Sequence, residues 1–276
     1  KGLAIGIAGA GNSGAIIAML AAPPIAIAYG WRMAYLAGAG LMIPALLVMF
    51  FLAKEPPDRV KEKFTHHLKV FGEKDAWVFN ISYILTFGGY IGFTNFLPTF
   101  LHYEYNIPLA TMGQYSALIA IMASISRIAG GWLADRVGGL NCMKWVCIIT
   151  AVMSFYIATL PPFYIVIPAL CVLFLALGAG NGSTFQLVPL RWIGSTAIVM
   201  SLIGEVGALG GGLIPNVMGY SKQHLGSYQY GYIVWGVLAI GILIMYMVVS
   251  RKWEKSWVGA GGRALPKSET TEYPHH

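Results

Sequence analysis

The sequence has few charged residues. Only 11% of its 276 residues are Asp, Glu, Lys or Arg, whereas 57% are hydrophobic. Soluble domains average roughly 25% charged residues, so this chain cannot build a water-soluble surface. Long apolar runs cross a bilayer as helices, because a helix satisfies its own backbone hydrogen bonds. The composition therefore predicts an all-α membrane protein.

Potential cofactor and metal ligands are also scarce. The three cysteines, Cys142, Cys147 and Cys171, have no spacing typical of a metal site or a disulfide. The six histidines all lie in loops, at a span end or in the tail. A membrane-embedded enzyme or redox protein would need such ligands, or a pair of carboxylates, inside the membrane. We expect no enzymatic activity, no cofactor and no metal.

A glycine-rich stretch at residues 9–14, Gly-Ala-Gly-Asn-Ser-Gly, matches the spacing of a dinucleotide-binding loop. That loop follows a strand and is accompanied by an acidic residue about 20 positions later. Here the surrounding run is apolar, and the first acidic residue afterwards is Glu55. The stretch is interpreted as part of a membrane helix.

Eight apolar runs are long enough to cross a hydrocarbon core of about 30 Å. They cover residues 3–28, 32–53, 77–101, 109–134, 141–160, 162–189, 196–220 and 229–250. One connection, residues 54–76, is long and charged, and residues 251–276 form a polar tail. Most of the 18 Lys and Arg residues flank the spans on the side of this link and tail. The positive-inside rule places that side in the cytoplasm.

The net charge of +7 follows from this topology and from contact with anionic membrane lipids. No nucleic-acid partner is needed to explain it.

Few ionisable residues fall inside the spans. Arg127 is the basic residue and Glu205 the acidic residue at depth. A charge in the membrane must face a partner or a cavity and is usually functional. Glu205 is a candidate for proton coupling, although an ion pair or hydrogen bond that holds its helix explains it equally well.

Polar and aromatic groups from five spans share one layer near the midplane, by a rise of about 1.5 Å per residue. This layer contains Asn12, Tyr83, Phe87, Arg127, Asn181 and Glu205. Secondary transporters bind their substrates in such a layer. The alternative is that the asparagines are interhelical hydrogen-bond partners and the glycines are close-packing surfaces. The planar, paired donors of an Arg suit a small planar oxyanion.

Several segments carry a resemblance to a known family. "GWLADRVGG" (131–139) resembles the loop motif of the major facilitator superfamily, with Gly139 where a basic residue is commoner. "AGAGNSGA" (8–15) and "GALGGGLIP" (207–215) are similar to the paired signatures of its nitrate/nitrite porter family. "SYILTFGGYIGF" (82–93), "SRIAGGWLADRVGG" (126–139) and "GAGNGSTFQ" (178–186) are further matches.

The resemblance implies a substrate site and assigns roles to its residues. Arg127 would be the arginine that binds nitrate, and Tyr83 and Phe87 would bond to and pack on the anion. The expected substrate-binding set is Gly11, Asn12, Tyr83, Phe87, Arg127, Asn181, Gly207 and Gly211. The family's second substrate arginine lies in helix two, which has no counterpart among the eight spans.

The implied fold is that of the superfamily, truncated to helices five to twelve of twelve. Residues 1–53 would be the last two helices of the N-terminal bundle, 54–76 the link between bundles, 77–250 the C-terminal bundle and 251–276 a cytoplasmic tail. The chain is expected to be a fragment of a nitrate and/or nitrite transporter that works by alternating access and is inactive without the missing helices one to four.

The expected location is the plasma membrane, the inner membrane of a bacterium, with a cytoplasmic C-terminus. Two alternatives stay open. One is a facilitator for another small anion such as a short carboxylate, and the other is a membrane interaction subunit that does not transport.

Overall fold

The computed structural model describes residues 14–52 and 70–265, and over these ranges the chain is helical without a β-strand. The expected all-α membrane fold is confirmed for this part of the chain. The helices are α1 (Gly14–Tyr29), α2 (Trp31–Leu52), α3 (Lys74–Tyr83), α4 (Gly89–Tyr105), α5 (Leu109–Val137), α6 (Gly139–Ala158), α7 (Phe163–Arg191), α8 (Thr196–Leu225) and α9 (Gln229–Trp253). Short 3-10 turns cover Val70–Gly72 and Ala260–Gly262.

Seven described spans are long and apolar enough to cross a membrane, and α1 is a shorter apolar helix. One of the seven, Lys74–Tyr105, combines α3 and α4 through a π-helical turn at Ile84–Gly88. Most observed helices extend a few residues beyond the apolar runs. The helix expected at 77–101 begins at Lys74, because polar residues at its ends have partners on neighbouring helices.

The helices from α3 to α9 form one bundle in which successive spans run in opposite directions. Helix α5 packs along α7, α6 packs on α7 and α9, and α8 packs on α3, α4 and the π turn. Helix α1 contacts α2 and α5. None of the residues of α2 is buried, so its apolar surface is available to lipid or to further helices.

Glycines allow α5 and α7 to approach very closely. A Cβ added at Gly178 would overlap the carbonyl oxygen of Ala123, and one at Gly182 would overlap the carbonyl oxygen of Arg127. Two small residues four positions apart form the spacing by which membrane helices bring their backbones together. This contact fixes the backbone of Arg127 against α7.

One end of the bundle carries a network of charged and aromatic side chains. The carboxylate of Asp75 accepts hydrogen bonds from Arg191 Nε and from Trp253 Nε1, both at 2.9 Å. Glu73 accepts from Arg191 Nη2 at 3.1 Å and from Trp192 Nε1. The network ties the start of α3 to the ends of α7 and α9. We call this the basic end, since Lys and Arg residues are concentrated here.

The opposite end is tied at two points. Lys222 Nζ of α8 lies 3.1 Å from the carboxylate of Glu104 on α4. The hydroxyl of Tyr105 donates to the carbonyl oxygen of Pro161, between α6 and α7, at 2.9 Å. Between these two ends lies the layer that contains Arg127, Tyr83 and Phe87.

A buried arginine among aromatic side chains

Arg127 lies inside the bundle, on α5, with only 6% of its surface exposed. Its Nη2 donates a hydrogen bond to the hydroxyl of Tyr83 at 3.3 Å. Its guanidinium carbon lies 5.9 Å from the ring centre of Phe87 and 5.4 Å from that of Phe185. Both rings are within the range of cation–π attraction. A permanent positive charge is therefore held at depth by a hydroxyl and two aromatic rings.

The aromatic side chains of this site stack on one another. The ring of Tyr83 lies 4.9 Å from that of Phe87 and 4.9 Å from that of Phe185, with interplanar angles of 19° and 21°. Tyr83 is fully buried, whereas Phe87 and Phe185 are half-buried. Phe87 and Phe185 each keep part of their surface accessible outside this stack.

The arginine keeps an unused donor. Its Nε is buried and has no hydrogen-bond partner among the described residues. Leaving a buried charged donor unpaired is costly, by about 1–3 kcal/mol or more. An acceptor that enters the site would remove this cost, and it would be held by the fork of an Arg, which matches two oxygens of one anion.

Asn181 lies on α7, one helical turn before Phe185, and is 2% exposed. Residues four apart lie on the same helix face, so Asn181 continues the face that bears Phe185. Its Oδ1 also has no partner among the residues that the structure describes. The glycines on either side of it pack on neighbouring helices, with Gly180 against Thr86 and Gly182 against Arg127.

Gly207 is the point at which α8 contacts the site. A Cβ at this position would lie closer than 3 Å to Cδ1 of Tyr83 and 3.2 Å from its Cγ. Gly211, one turn further, contacts Ile91 instead, at 2.7 Å from a Cβ to Cγ2. Gly207 therefore positions the tyrosine, while Gly211 belongs to the packing between α8 and α4.

Glu205 is not brought to the site by the structure. It is exposed on α8, on the same side as Leu209. Successive helical residues are rotated by about 100°, from 3.6 residues per turn. Glu205 therefore lies roughly 200° from Gly207, on the opposite face of the helix. Gly11 and Asn12, the other expected site residues, lie outside the described residues.

Two features of the site were not singled out from the sequence. Phe185 is one, although its position four residues after Asn181 carried a signal, because both then share a helix face. The other is the π-helical turn at Ile84–Gly88, which contains Phe87. Single π turns inside α-helices occur frequently at functional sites, but their position cannot be read from a 3.6-residue period.

Within the described ranges, no group of three His, Cys, Asp or Glu side chains is arranged to hold a metal ion. The chemistry available at the site is that of a fixed cation with donors and flat apolar faces. This arrangement can bind and orient a small anion.

The sequence pattern of the Major Facilitator Superfamily matches residues 1–215. A nitrite extrusion protein of Bacillus subtilis is 27% identical, over 89% of this chain and 63% of the relative. A probable nitrate/nitrite antiporter NarK1 of Thermus thermophilus is 27% identical, over 90% of this chain and 64% of the relative.

A probable nitrate transporter NarT of Staphylococcus epidermidis is 24% identical, over 91% of this chain and 65% of the relative. The chain thus spans slightly less than two thirds of the length of these relatives.

Proposed function

The chain belongs to the major facilitator superfamily, and from that premise we propose that it is part of a secondary transporter that carries nitrate and/or nitrite. The observation that carries the proposal is the buried Arg127, whose Nε has no hydrogen-bond partner in the described part of the chain. Its guanidinium group lies beside the Tyr83 hydroxyl and two half-buried phenyl rings. We take nitrate and nitrite as the anions because the names of three relatives mention them.

A flat, singly charged oxyanion fits this set of groups. Arg127 would hold two of its oxygens, and the Tyr83 hydroxyl and the amide of Asn181 are further partners. The face of Phe87 or Phe185 would pack on the plane of the anion. Gly207 would act indirectly, by letting α8 come close enough to hold Tyr83 in place.

Gly11 and Asn12, in the signature segment 8–15, would take part in binding the anion. Gly211, one turn after Gly207 on α8, would also act indirectly, because it allows α8 to lie close to α4. We propose these roles from the resemblance to the porter family, and the contacts of Gly211 with Ile91 support the packing part of them.

Transport by alternating access uses two bundles that rock about a site at the midplane. We propose that α3 to α9 are the C-terminal bundle, that α1 and α2 belong to the N-terminal one, and that the remaining helices of the transporter complete the pocket. Alone, the chain is expected to bind the anion weakly and not to transport it. The exposed surface of α2 and the partial coverage of the relatives support this reading.

The proposed location is the plasma membrane, the inner membrane of a bacterium, with the basic end in the cytoplasm. The positive-inside rule supports this orientation, because Lys and Arg are retained on the cytoplasmic side. The residues at the basic end include Arg136, Lys144, Arg191, Arg251 and Lys252.

Binding can be tested separately from transport. Purified chain in detergent would be dialysed against millimolar ¹⁵N-nitrate, and the bound anion measured by mass spectrometry. Removing one member of a buried, charged pair costs about 2–5 kcal/mol, so Arg127→Gln should weaken binding at least 30-fold. Arg127→Lys keeps the charge but loses the fork, and we expect a loss of about tenfold, or 1.4 kcal/mol.

Arg32→Gln is the matched control, since Arg32 is exposed on α2 beside Trp31. It removes the same charge and should leave binding unchanged. If Arg127→Gln bound nitrate as well as Arg32→Gln does, the anion site would not be at Arg127. Competition by nitrite, formate and short carboxylates distinguishes a nitrate/nitrite site from that of a general small-anion facilitator.

The need for further helices is tested in proteoliposomes. The chain reconstituted alone should show no nitrate uptake above protein-free vesicles. Robust uptake by this chain would refute the requirement for additional helices, without affecting the assignment of Arg127.

A further inference from the structure

A cavity lies on the outside of the bundle, away from the arginine site. It is a groove of about 720 Å³ between α5, α6 and α7. Its sides are formed by Trp132 and Leu133 of α5, Trp145 of α6 and Leu175 of α7, and Gly130 lies in its floor. All four of these large side chains are exposed, with Trp145 at 65%. The groove is almost entirely apolar and is open on the side where a membrane-embedded bundle meets lipid.

Along α5 the groove has about the length of one bilayer leaflet. On α5 it runs from Ser126 to Val137, which is roughly 16 Å at 1.5 Å per residue. Half of a hydrocarbon core of about 30 Å is about 15 Å. On α5 the groove therefore begins near the middle of the span and ends at the basic end of the bundle, as a lipid chain of one leaflet does.

Positive charge is placed where the groove reaches the basic end. The guanidinium carbon of Arg136 lies 4.0 Å from the ring centre of Trp132, which forms the wall. Lys144 is half-buried on α6, one turn from Asn141 in the groove lining. Arg263 is exposed in the segment after α9.

The segment after α9 lies against the basic end of the groove, because a Cβ at Gly261 would lie 3.0 Å from the carbonyl oxygen of Val137. Besides Glu73 and Asp75 of the network described above, two acidic groups lie near the groove at this end. Asp135 neighbours Arg136 on α5 and is exposed, and it has an interaction of its own within the described chain. The carboxylate of Glu254 accepts a hydrogen bond from the backbone N–H of Gly261 at 3.0 Å. The basic groups Arg136, Lys144 and Arg263 outnumber them.

We propose that this groove is a binding site for an anionic phospholipid. One acyl chain lies between Trp132 and Trp145, and the phosphate is held by Arg136 at the basic end. Indole rings are favoured at the boundary between hydrocarbon and headgroups, and basic side chains at the membrane surface attract anionic lipids. The site does not depend on Arg127 or on the transported anion.

The test is lipid retention by the purified chain, measured by native mass spectrometry. Phosphatidylglycerol and phosphatidylcholine with the same acyl chains would be supplied in equal amounts. The wild-type chain should retain phosphatidylglycerol several-fold over phosphatidylcholine. Arg136→Gln should remove this preference. Glycerol phosphate, which has the charge but no acyl chain, should not compete.

The acyl-chain part is tested by filling the groove. Ala129 is exposed and lines it, so Ala129→Trp adds bulk without displacing the core and should abolish retention. Ile244→Trp is the matched control, because Ile244 is an exposed residue of α9 at a similar distance from the basic end. Should Ala129→Trp fail to fold, Val172→Trp fills the groove from α7.

Retention of phosphatidylglycerol by a folded groove-filled variant at the level of Ile244→Trp would overturn the proposal. Equal retention of the two lipids by the wild-type chain would also overturn it.

Discussion

Gly207 offers a specific test of how helix packing supports the arginine site. In Gly207→Ala the new Cβ would lie closer than 3 Å to Cδ1 of Tyr83. Carbon atoms are at optimal separation at about 3.5–4.0 Å, so the ring and α8 must separate by roughly 1 Å. Overpacking of this kind costs about 1–3 kcal/mol of stability.

The same displacement weakens the hydrogen bond to Arg127. The bond from Nη2 to the Tyr83 hydroxyl is already 3.3 Å long, and a further shift of the ring breaks it. A hydrogen bond to a charged group contributes about 1.5–3 kcal/mol. If half or more of this energy no longer helps to orient Arg127 for nitrate, the affinity for nitrate falls about tenfold, at 1.4 kcal/mol per factor of ten.

The assay compares Gly207→Ala with Gly204→Ala. Gly204 is on the same helix, three residues earlier, and a Cβ there would have no atom of the described residues within 4 Å. Gly204→Ala should be neutral or slightly stabilising, because Ala favours a helix over Gly by roughly 1 kcal/mol. Thermal unfolding in detergent and ¹⁵N-nitrate dialysis measure both effects. Identical unfolding midpoints and affinities for the two variants would refute the reasoning.

Three further substitutions have defined expectations. Phe185→Leu keeps apolar volume but removes a ring beside Arg127, so nitrate affinity in the dialysis assay should fall about two- to fivefold, equivalent to roughly 0.5–1 kcal/mol. Glu205→Gln should leave that affinity unchanged, since the carboxylate is exposed on the opposite face of its helix; a large loss would place it at the site. In Asp75→Asn the side chain has one acceptor oxygen instead of two, so it cannot keep both hydrogen bonds, from Arg191 and from Trp253. The free energy of unfolding should fall by about 1–3 kcal/mol, measured as a lower unfolding midpoint by tryptophan fluorescence.

For the part of the chain that the structure describes, the number and order of the apolar spans could be predicted from the sequence, because each is a run of apolar residues. Their ends could not. The sequence predicts that residues 74–76 belong to the link, because Lys74 and Asp75 are charged and interrupt the apolar run. In the fold, Asp75 has two donors from distant helices, so the helix continues through it. Such partners lie more than 100 residues away and leave no local signal.

The position of a residue along its helix could also be predicted from the sequence. The side of the helix on which its side chain lies could not. Counting from one end of the bundle put Arg127 and Tyr83 in nearly the same layer, and the structure places their side chains 3.3 Å apart. The same count put Glu205 in this layer. Because α8 is apolar on most sides, its sequence does not indicate which face packs on the bundle. In the structure Glu205 lies on the exposed face of α8.

The π turn at Ile84–Gly88 shows why the site and the packing of α8 depend on one another. A π turn adds one residue to a helix, which rotates everything after it by about 100° relative to a straight α-helix. With this rotation Tyr83 before the turn meets Gly207, and Gly88 at its end meets Gly210, where a Cβ would lie 2.6 Å from the neighbouring Cα. If the turn were a regular α-helix, only one of the two contacts, Tyr83 with Gly207 or Gly88 with Gly210, could form, because the other residue would face a different direction. The position of Tyr83, and through it the orientation of Arg127, is therefore set by a backbone irregularity that is held in place by the glycines of α8.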